Sequence, residues 1–273
     1  MSTISITTPV VSVKWLNEHL KASNLVVLDG TINKVFNPET LQIPGTRFFD
    51  IKKKFSEVTG EFPSTFPSAD QFQEEAQNLG LNKDSAIVVY DDKGIYSSAR
   101  VWWLFKAFGY ANVAVLNGGF PEWLNADYKT EPMTQYIGEK GNFQANLMPE
   151  YMKFFKDVEE ASKEQTHTII DARSSGRFNC EIAEPRAGLR SGTIPNSINL
   201  PFTDLLERGL LKSPEILKNI FSNKIGDKNT AVIFSCGSGI TACVLALGAE
   251  IAGYENLSVY DGSWTEWGTL VKA

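Results

Sequence analysis

In the stretch Ala231-Val-Ile-Phe-Ser-Cys-Gly-Ser-Gly-Ile-Thr-Ala-Cys243, an apolar run passes through a loop with two glycines into a helical pattern. The apolar run predicts a buried strand, and the residues from 241 to 252 are expected to form a helix. A strand, a tight loop and a helix make the repeating unit of a parallel sheet covered by helices. Cys236 stands where the strand ends, at the sheet edge where such folds place their functional sites.

Cys236 is the candidate nucleophile. Gly237 and Gly239 allow the loop to curl, so that backbone N–H groups and the start of the following helix face the sulfur. These dipoles favour the thiolate, which is the nucleophilic form of cysteine. Burial without chemistry is the commoner fate of a free cysteine, and we expect it for Cys243, which lies within the helix. A merely buried cysteine does not need two glycines after it, which favours the reactive interpretation of Cys236.

The composition limits the classes of function. The chain has 273 residues, which suggests about two domains, and its 42% apolar and 21% charged residues suit ordinary globular cores. A net charge of -6 argues against nucleic acid or an anionic membrane as a partner. Three cysteines cannot form a disulfide framework, so a reducing compartment is expected. Residues 1–13 lack the features of a signal or transit peptide, and no apolar stretch approaches the ~18 residues of a membrane span, so a soluble cytoplasmic protein is predicted.

The two halves of the chain repeat one plan. Each half carries, in the same order, an acid-ended strand, an Ile-Pro turn, a second strand, a Gly-Tyr turn and a glycine-rich segment ending in Trp. These segments are 26–29, 43–45, 86–92, 108–113 and 117–123 in the first half, and 169–171, 194–196, 231–236, 252–257 and 261–267 in the second. Asp92 to Trp123 and Cys236 to Trp267 both span 31 positions, which aligns Cys236 with Asp92. This repetition predicts a duplicated domain.

Each copy is predicted to be α/β, a parallel sheet with helices on both faces. The domains are predicted at 1–130, without a catalytic cysteine, and at 148–273, with the catalytic cysteine, joined by a polar linker at 131–147. The aromatic residues of Val101-Trp-Trp-Leu-Phe105 are expected in the core. Helices are predicted at 13–21, 68–79, 98–108, 151–163, 214–223 and 241–252.

The sequence resembles the two-domain rhodanese-type sulfurtransferases over nearly its whole length. In that family an inactive N-terminal copy precedes a C-terminal copy that carries the sulfur-accepting cysteine. The resemblance implies tandem rhodanese-like domains, a persulfide on Cys236, and neither a cofactor nor a metal ion. It rests on Ile43-Pro-Gly-Thr-Arg-Phe-Phe-Asp-Ile51, Ser98-Ala-Arg-Val-Trp-Trp103, Gly118-Gly-Phe-Pro-Glu-Trp123, Asn199-Leu-Pro-Phe202 and the Cys236 loop.

The loop Cys236-Gly-Ser-Gly-Ile-Thr241 is similar to that of members that take sulfur from 3-mercaptopyruvate. Members that use thiosulfate typically carry basic residues after the cysteine. Thiosulfate is a dianion that benefits from cations beside the thiolate, whereas mercaptopyruvate carries its carboxylate and keto oxygen away from its sulfur. Thiosulfate remains the alternative donor for the same persulfide.

Arg177 and Arg186 match the family positions that clamp these substrate oxygens. A planar guanidinium suits the task because it binds a carboxylate with two hydrogen bonds. From the residues alone, solvated arginines or ion pairs with Glu181 and Glu184 are equally good explanations. The resemblance favours the clamp.

The implied reaction has two halves. The Cys236 thiolate attacks the substrate sulfur, which leaves a persulfide and the enolate of pyruvate, and a thiol or cyanide then removes the outer sulfur. Thioredoxin or a small thiol is the expected thiol acceptor. The loop residues Gly237, Gly239, Ile240 and Thr241 are expected to bind the substrate, with Thr241 also able to cap the helix.

Ser238 and Asp50 match two members of a proton relay proposed in relatives, whose third member is a histidine. The stretch Phe62-Pro-Ser-Thr-Phe-Pro67 contains no histidine where the family has one. The only histidines of the chain are His19 and His167, and both are expected to be structural or exposed.

Three other classes of function share parts of this pattern. The spacing Gly237-x-Gly239-x-x-Ala242 is that of a dinucleotide loop, but only twelve residues follow Asp261, too few for the further strands that such a fold needs. A cysteine phosphatase needs Arg where this chain has Ala242. A non-enzymatic sulfur carrier or redox adaptor with Cys180 as a resolving thiol stays open, although a structural role for Cys180 is favoured.

Overall fold

The computed structural model describes residues 2–272, which form two compact α/β units. The first unit comprises residues 2–57, 66–148 and 208–211, and the second comprises residues 58–65, 149–207 and 212–272. Each unit is built on a parallel sheet flanked by helices, as predicted. Segment 131–147, predicted to be a linker, belongs to the first unit, where Phe143 is fully buried and its N–H donates to the Leu81 carbonyl.

The first unit has a five-stranded sheet in the order β1-β6-β5-β2-β4, and all of its strand pairs are parallel. Its strands are β1 Val10–Val11, β2 Leu25–Asp29, β3 Leu41–Gln42, β4 Thr46–Phe48, β5 Ala86–Tyr90, β6 Val113–Leu116 and β7 Glu131–Pro132. Its helices are α1 Val13–His19, α2 Ala69–Asn78, α3 Ser98–Ala107 and α4 Gly119–Asn125. The short strands β3 and β7 form a separate antiparallel pair.

The second unit has a five-stranded parallel sheet in the order β10-β9-β13-β14-β8. Its strands are β8 Met152–Lys153, β9 Thr168–Asp171, β10 Ile198–Asn199, β11 Leu206–Glu207, β13 Val232–Ser235 and β14 Leu257–Tyr260. Strand β12, Leu210–Leu211, lies in the first unit. Its helices are α5 Phe155–Glu164, α6 Ser175–Phe178, α7 Pro214–Ile225, α8 Ala242–Ile251 and α9 Ser263–Leu270, with 3₁₀ turns at Pro149–Tyr151 and Phe202–Leu205.

Helices on both faces bury the central strands completely. Every residue of β5 and of β13 is buried, which explains why both strands have apolar runs without alternation. In α3, Trp102, Trp103 and Phe105 are at most 1% exposed, so the predicted core role of this aromatic run is confirmed.

One predicted helix begins later than expected. The expected helix at 151–163 is observed as α5, which starts at Phe155, because Met152 and Lys153 pair instead with Val259 and Tyr260 of β14. Sheet pairing at a distance therefore overrides the local helical pattern. In the described part of the chain, no helix has the length and the apolar character needed to cross a membrane.

The structure corrects the internal alignment of the two copies. The N–H of Phe120 donates to the carbonyl of Asp91, and the N–H of Trp264 donates in the same way to the carbonyl of Cys236. The counterpart of Cys236 is therefore Asp91, and the predicted match with Asp92 is wrong. The loop before α3 covers residues 92–97, whereas the loop before α8 covers residues 237–241, so one additional residue in the first copy shifted the alignment.

Candidate active site

Cys236 is the first residue after β13 and opens the loop that leads into α8. The residue is only 1% exposed, so its sulfur is recessed beneath the surface. Cys243, seven positions on, is completely buried inside α8, in agreement with its predicted core role. Cys180 is the exposed cysteine of the chain. Exposure thus separates Cys180 from the other two thiols, and position in a loop or in a helix separates Cys236 from Cys243.

Glycine is needed at the two positions of the loop for different physical reasons. Gly239 has a φ of +73°, the left-handed region that residues with a side chain rarely adopt. Gly237 has an ordinary φ, but a Cβ atom there would lie 3.0 Å from Nη2 of Arg177. The first glycine therefore admits a guanidinium to the loop, and the second allows the chain to turn.

The loop and the start of α8 supply unpaired hydrogen-bond donors. Within residues 2–272, the backbone N–H groups of Gly237, Ser238, Ile240, Thr241 and Ala242 have no protein acceptor. Thr241 occupies the N-cap position of α8 as expected, but its side chain makes no capping hydrogen bond. Donors left open at a helix N-terminus, in a loop that begins with a thiol, suit an anionic sulfur.

The corresponding loop of the first unit surrounds a side chain of its own. There, the side chain of Asp91 accepts hydrogen bonds from the N–H groups of Lys93 at 2.9 Å, Tyr96 at 2.8 Å and Ser98 at 2.8 Å. The hydroxyl of Ser98 donates to the same carboxylate at 2.6 Å. An anionic side chain thus occupies the loop of the first copy. The same position in the second copy is the sulfur of Cys236.

Residues at the start of α9 hold the Cys236 loop. Ser263 Oγ accepts the N–H groups of Cys236 and Gly239, each at 3.1 Å. The N–H of Thr265 donates to the carbonyl of Gly237 at 3.0 Å, and its hydroxyl donates to the same oxygen. In the sequence, segment 261–267 indicates only the duplication, and these contacts were not predicted. The available signal was Ser263, which stands where the first copy has Gly119.

A buried ionic network lies beside the loop. Arg173 binds Asp171 at 2.6 Å and Glu184 at 2.7 Å, and Glu184 binds Arg177 at 2.6 Å. Burial opposes the charge of Arg173, but hydrogen bonds and the carboxylates of Asp171 and Glu184 outweigh it and raise the pKa of this guanidinium. Arg173 also lies 4.8 Å from the ring centre of Trp264. Sequence reasoning missed Arg173, which anchors the glutamate that positions Arg177.

The two predicted clamp arginines have different environments. Arg177 approaches Gly237 and is also paired with Glu184, which was the alternative explanation. Glu184 takes the Nε–H and one Nη2–H of the guanidinium, so three of its five N–H donors remain. Arg186 is exposed on the loop that follows Glu184. Of the two, the structure brings Arg177 to the cysteine loop.

The remaining predicted residues are placed as follows. Ser238 is half-buried within the loop, and Ile240 is 4% exposed. Asp50 lies in the first unit, where it accepts the N–H of Lys53 and lines a cavity of about 330 Å³. His19 ends α1 and stacks on Trp15 with ring centres 4.2 Å apart. His167 precedes β9, and burial lowers its pKa.

Comparisons with known proteins agree with this architecture. The model of the rhodanese-like domain matches residues 12–126 and again residues 155–270. Mouse 3-mercaptopyruvate sulfurtransferase is 39% identical, with 94% of this chain and 91% of that protein covered. Rat thiosulfate sulfurtransferase is 38% identical at the same coverage. The crystal structure of SseA from Escherichia coli, described with 3-mercaptopyruvate sulfotransferases, has a TM-score of 0.81 and 34% identity, covering 94% of this chain and 99% of that one. The predicted fold and family are confirmed, and both relatives are named for sulfur transfer.

Proposed function

Because the chain belongs to the rhodanese-like domain family, we propose that it transfers sulfur from 3-mercaptopyruvate to a thiol or cyanide through a persulfide on Cys236. One observation carries the proposal. Cys236 opens a loop whose free N–H groups have no protein acceptor in the described chain, and the matching loop of the first copy holds the carboxylate of Asp91. A thiolate or persulfide anion at Cys236 would receive the same kind of donors.

In the first half-reaction, the Cys236 thiolate attacks the sulfur of mercaptopyruvate. The new S–S bond forms as the C–S bond breaks, and the electron pair of that bond moves to carbon to give the enolate of pyruvate. The enolate then takes up a proton and leaves as pyruvate. Charge that develops on the enolate is stabilised by N–H donors and by the guanidinium of Arg177.

In the second half-reaction, an acceptor attacks the outer sulfur of the persulfide. A thiolate acceptor leaves with the sulfur as its own persulfide, cyanide leaves as thiocyanate, and the Cys236 thiolate is restored. Small thiols and thioredoxin are the acceptors we propose. Because the donor's product leaves before the acceptor reacts, ping-pong kinetics are expected.

The charges beside the loop favour mercaptopyruvate over thiosulfate as the donor. Gly237 and Ser238 carry no charge, so no cation directly follows the cysteine to bind a sulfonate. Arg177 offers three N–H donors to a carboxylate that lies beyond the reacting sulfur. Relatives with either name match this chain at nearly equal identity, so the donor has to be tested directly.

The other predicted residues are proposed to support substrate binding and proton movement. Arg186 is proposed as the second cation for the substrate carboxylate, and the backbone of Gly237, Ile240 and Thr241 as donors to sulfur. The amide of Gly239 is already used by Ser263. Ser238 and Asp50 are proposed to assist proton movement without the histidine present in relatives.

A cytoplasmic location is also proposed. A cysteine that works as a thiolate and a persulfide needs surroundings in which thiols stay reduced. No disulfide joins the three cysteines, all of which lie within the described residues.

Intact-mass measurement tests the proposal directly. The protein is treated with mercaptopyruvate or, in a separate sample, with thiosulfate, and peptides are then analysed without a reductant. We expect the mercaptopyruvate sample to gain one sulfur atom on the peptide that contains Cys236. A gain only with thiosulfate would reverse the donor assignment, and no gain with either donor would refute the persulfide.

A further inference from the structure

Ser263 binds the Cys236 loop with its full hydrogen-bonding capacity. Its Oγ accepts the N–H groups of Cys236 and Gly239 at 3.1 Å, and it donates to the carbonyl of Tyr260 at 2.9 Å. A hydroxyl has two acceptor sites and one proton, so all three are occupied. The Sγ atom of Cys236 lies 3.9 Å from the same oxygen. Ser263 Oγ therefore contacts Cys236 mainly at the backbone N–H of Cys236 and not at its sulfur.

The backbone of Ser263 adopts an unfavourable conformation. Its φ is +50°, in the left-handed region, and the residue is completely buried. A residue with a side chain keeps such a conformation only where its surroundings impose it. The first copy has Gly119 here, with a φ of +54°, which accommodates the same turn without a side chain. Glycine would be the relaxed choice at this position, and serine is present in its place.

The serine side chain at this position is present only in the copy that has the cysteine. A Cβ on Gly119 would lie 2.5 Å from the carbonyl oxygens of Asp91 and Gly94, so the first copy has no room for a serine. Its loop is held instead by the carboxylate of Asp91. At the position of Thr265, the first copy has Pro121, which lacks an N–H. Where a carboxylate fills the loop, these outside contacts are absent.

We propose that Ser263 is a positioning residue for the Cys236 nucleophile. By accepting the amides of residues 236 and 239, it maintains an open loop whose other amides stay free for the anionic sulfur. This role rests on the proposed sulfur transfer. In the first copy the carboxylate of Asp91 holds its loop from within. In the second copy the hydroxyl of Ser263, at the start of α9, holds the loop from outside and leaves its other amides free for sulfur.

Two variants separate the hydroxyl from the strained turn. Ser263→Ala removes the hydroxyl and keeps the strain, whereas Ser263→Gly removes both. Ser258→Ala is the matched control, because Ser258 is also a buried serine of this region, and its hydroxyl donates to Val232 O at 3.0 Å without touching the loop. We expect Ser263→Gly to unfold at a higher temperature than Ser263→Ala.

Rapid quenching followed by intact-mass measurement gives the rate of persulfide formation. We expect both Ser263 variants to form the persulfide at least about tenfold more slowly than the unmodified protein, with KM for mercaptopyruvate within about twofold. The Ser258→Ala protein should stay within about twofold in rate. Recovery of the rate in Ser263→Gly would overturn the proposal, because the turn and not the hydroxyl would then matter. Unchanged rates in both Ser263 variants would overturn it as well.

Hydrogen exchange tests the tether independently of the reaction. Without Ser263 Oγ, the amides of Cys236 and Gly239 lose their hydrogen bonds to this oxygen, so we expect peptides covering the loop to exchange at least about tenfold faster in both Ser263 variants. Unchanged exchange would refute the tether. If the unmodified protein gains no sulfur from any donor, the proposed function fails, and faster exchange would still establish that Ser263 holds the loop.

Discussion

Replacement of Arg177 by alanine should weaken the binding of mercaptopyruvate by about two orders of magnitude. The guanidinium has three N–H donors that Glu184 does not use, enough for a two-bond contact with the substrate carboxylate. A charge-assisted contact of this kind contributes about 2 kcal/mol, which corresponds to about 30-fold in KM. The substitution also leaves Glu184 with Arg173 as its remaining cation, and the excess negative charge adds about 1 kcal/mol of repulsion.

A double variant separates these two contributions. Arg177→Ala with Glu184→Gln lacks the guanidinium and the excess charge, so its KM should be about fivefold lower than that of Arg177→Ala alone. The assay is steady-state formation of pyruvate over a range of mercaptopyruvate concentrations, with thermal unfolding as the control for folding. A KM of Arg177→Ala within about twofold of the unmodified protein would refute the clamp. No improvement in the double variant would refute the electrostatic role assigned to Glu184.

Four further outcomes are expected. Cys236→Ser should abolish sulfur transfer and Cys243→Ser should retain substantial activity, because only the first thiol opens the loop; equal losses would contradict the assignment, as measured by pyruvate release. Arg186→Ala should mainly raise KM for mercaptopyruvate, and an unchanged KM would remove this exposed residue from the clamp. Asp91→Asn should destabilise the protein by about 1–3 kcal/mol and so lower the urea midpoint of unfolding, since the buried carboxylate accepts three N–H groups of its loop; an unchanged midpoint would show that the loop does not need the charge. Burial raises the pKa of Glu266, so its ionised form disfavours the native state above that pKa, and the cost disappears as the pH falls through it. Glu266→Gln should therefore raise the melting temperature at neutral pH and have little effect in acid, and the opposite pH trend would show that the carboxylate is stabilising.

The local pattern of the chain was sufficient for the elements that carry the site. Strand β13, the loop and α8 follow from an apolar run, two glycines and a helical segment, all within about twenty neighbouring residues. The same local pattern places Cys236 in the loop and Cys243 inside the helix, and so distinguishes the candidate nucleophile from the core cysteine. The spacing of apolar residues and the position of glycines are local properties of the sequence, so these features are readable without the fold.

The internal alignment could not be read in the same way. Residue counting paired Cys236 with Asp92, whereas strand register and the hydrogen bonds from Trp264 and Phe120 pair it with Asp91. A single additional loop residue is invisible to spacing when the ends of the repeat are otherwise similar. With the corrected pairing, the carboxylate of the first copy becomes a direct indication of what the cysteine loop is shaped to hold.

From its sequence alone, this chain determines two α/β copies and a single thiol at a sheet edge, because apolar periodicity, glycine conformation and repetition are local properties. Only the tertiary structure decides how that thiol is supported. Ser263 meets Cys236 across 27 positions of chain, and Arg173 fixes Glu184 from 11 positions away. Such contacts depend on strand order and on the packing of α9 against the loop, which no pattern of neighbouring residues encodes.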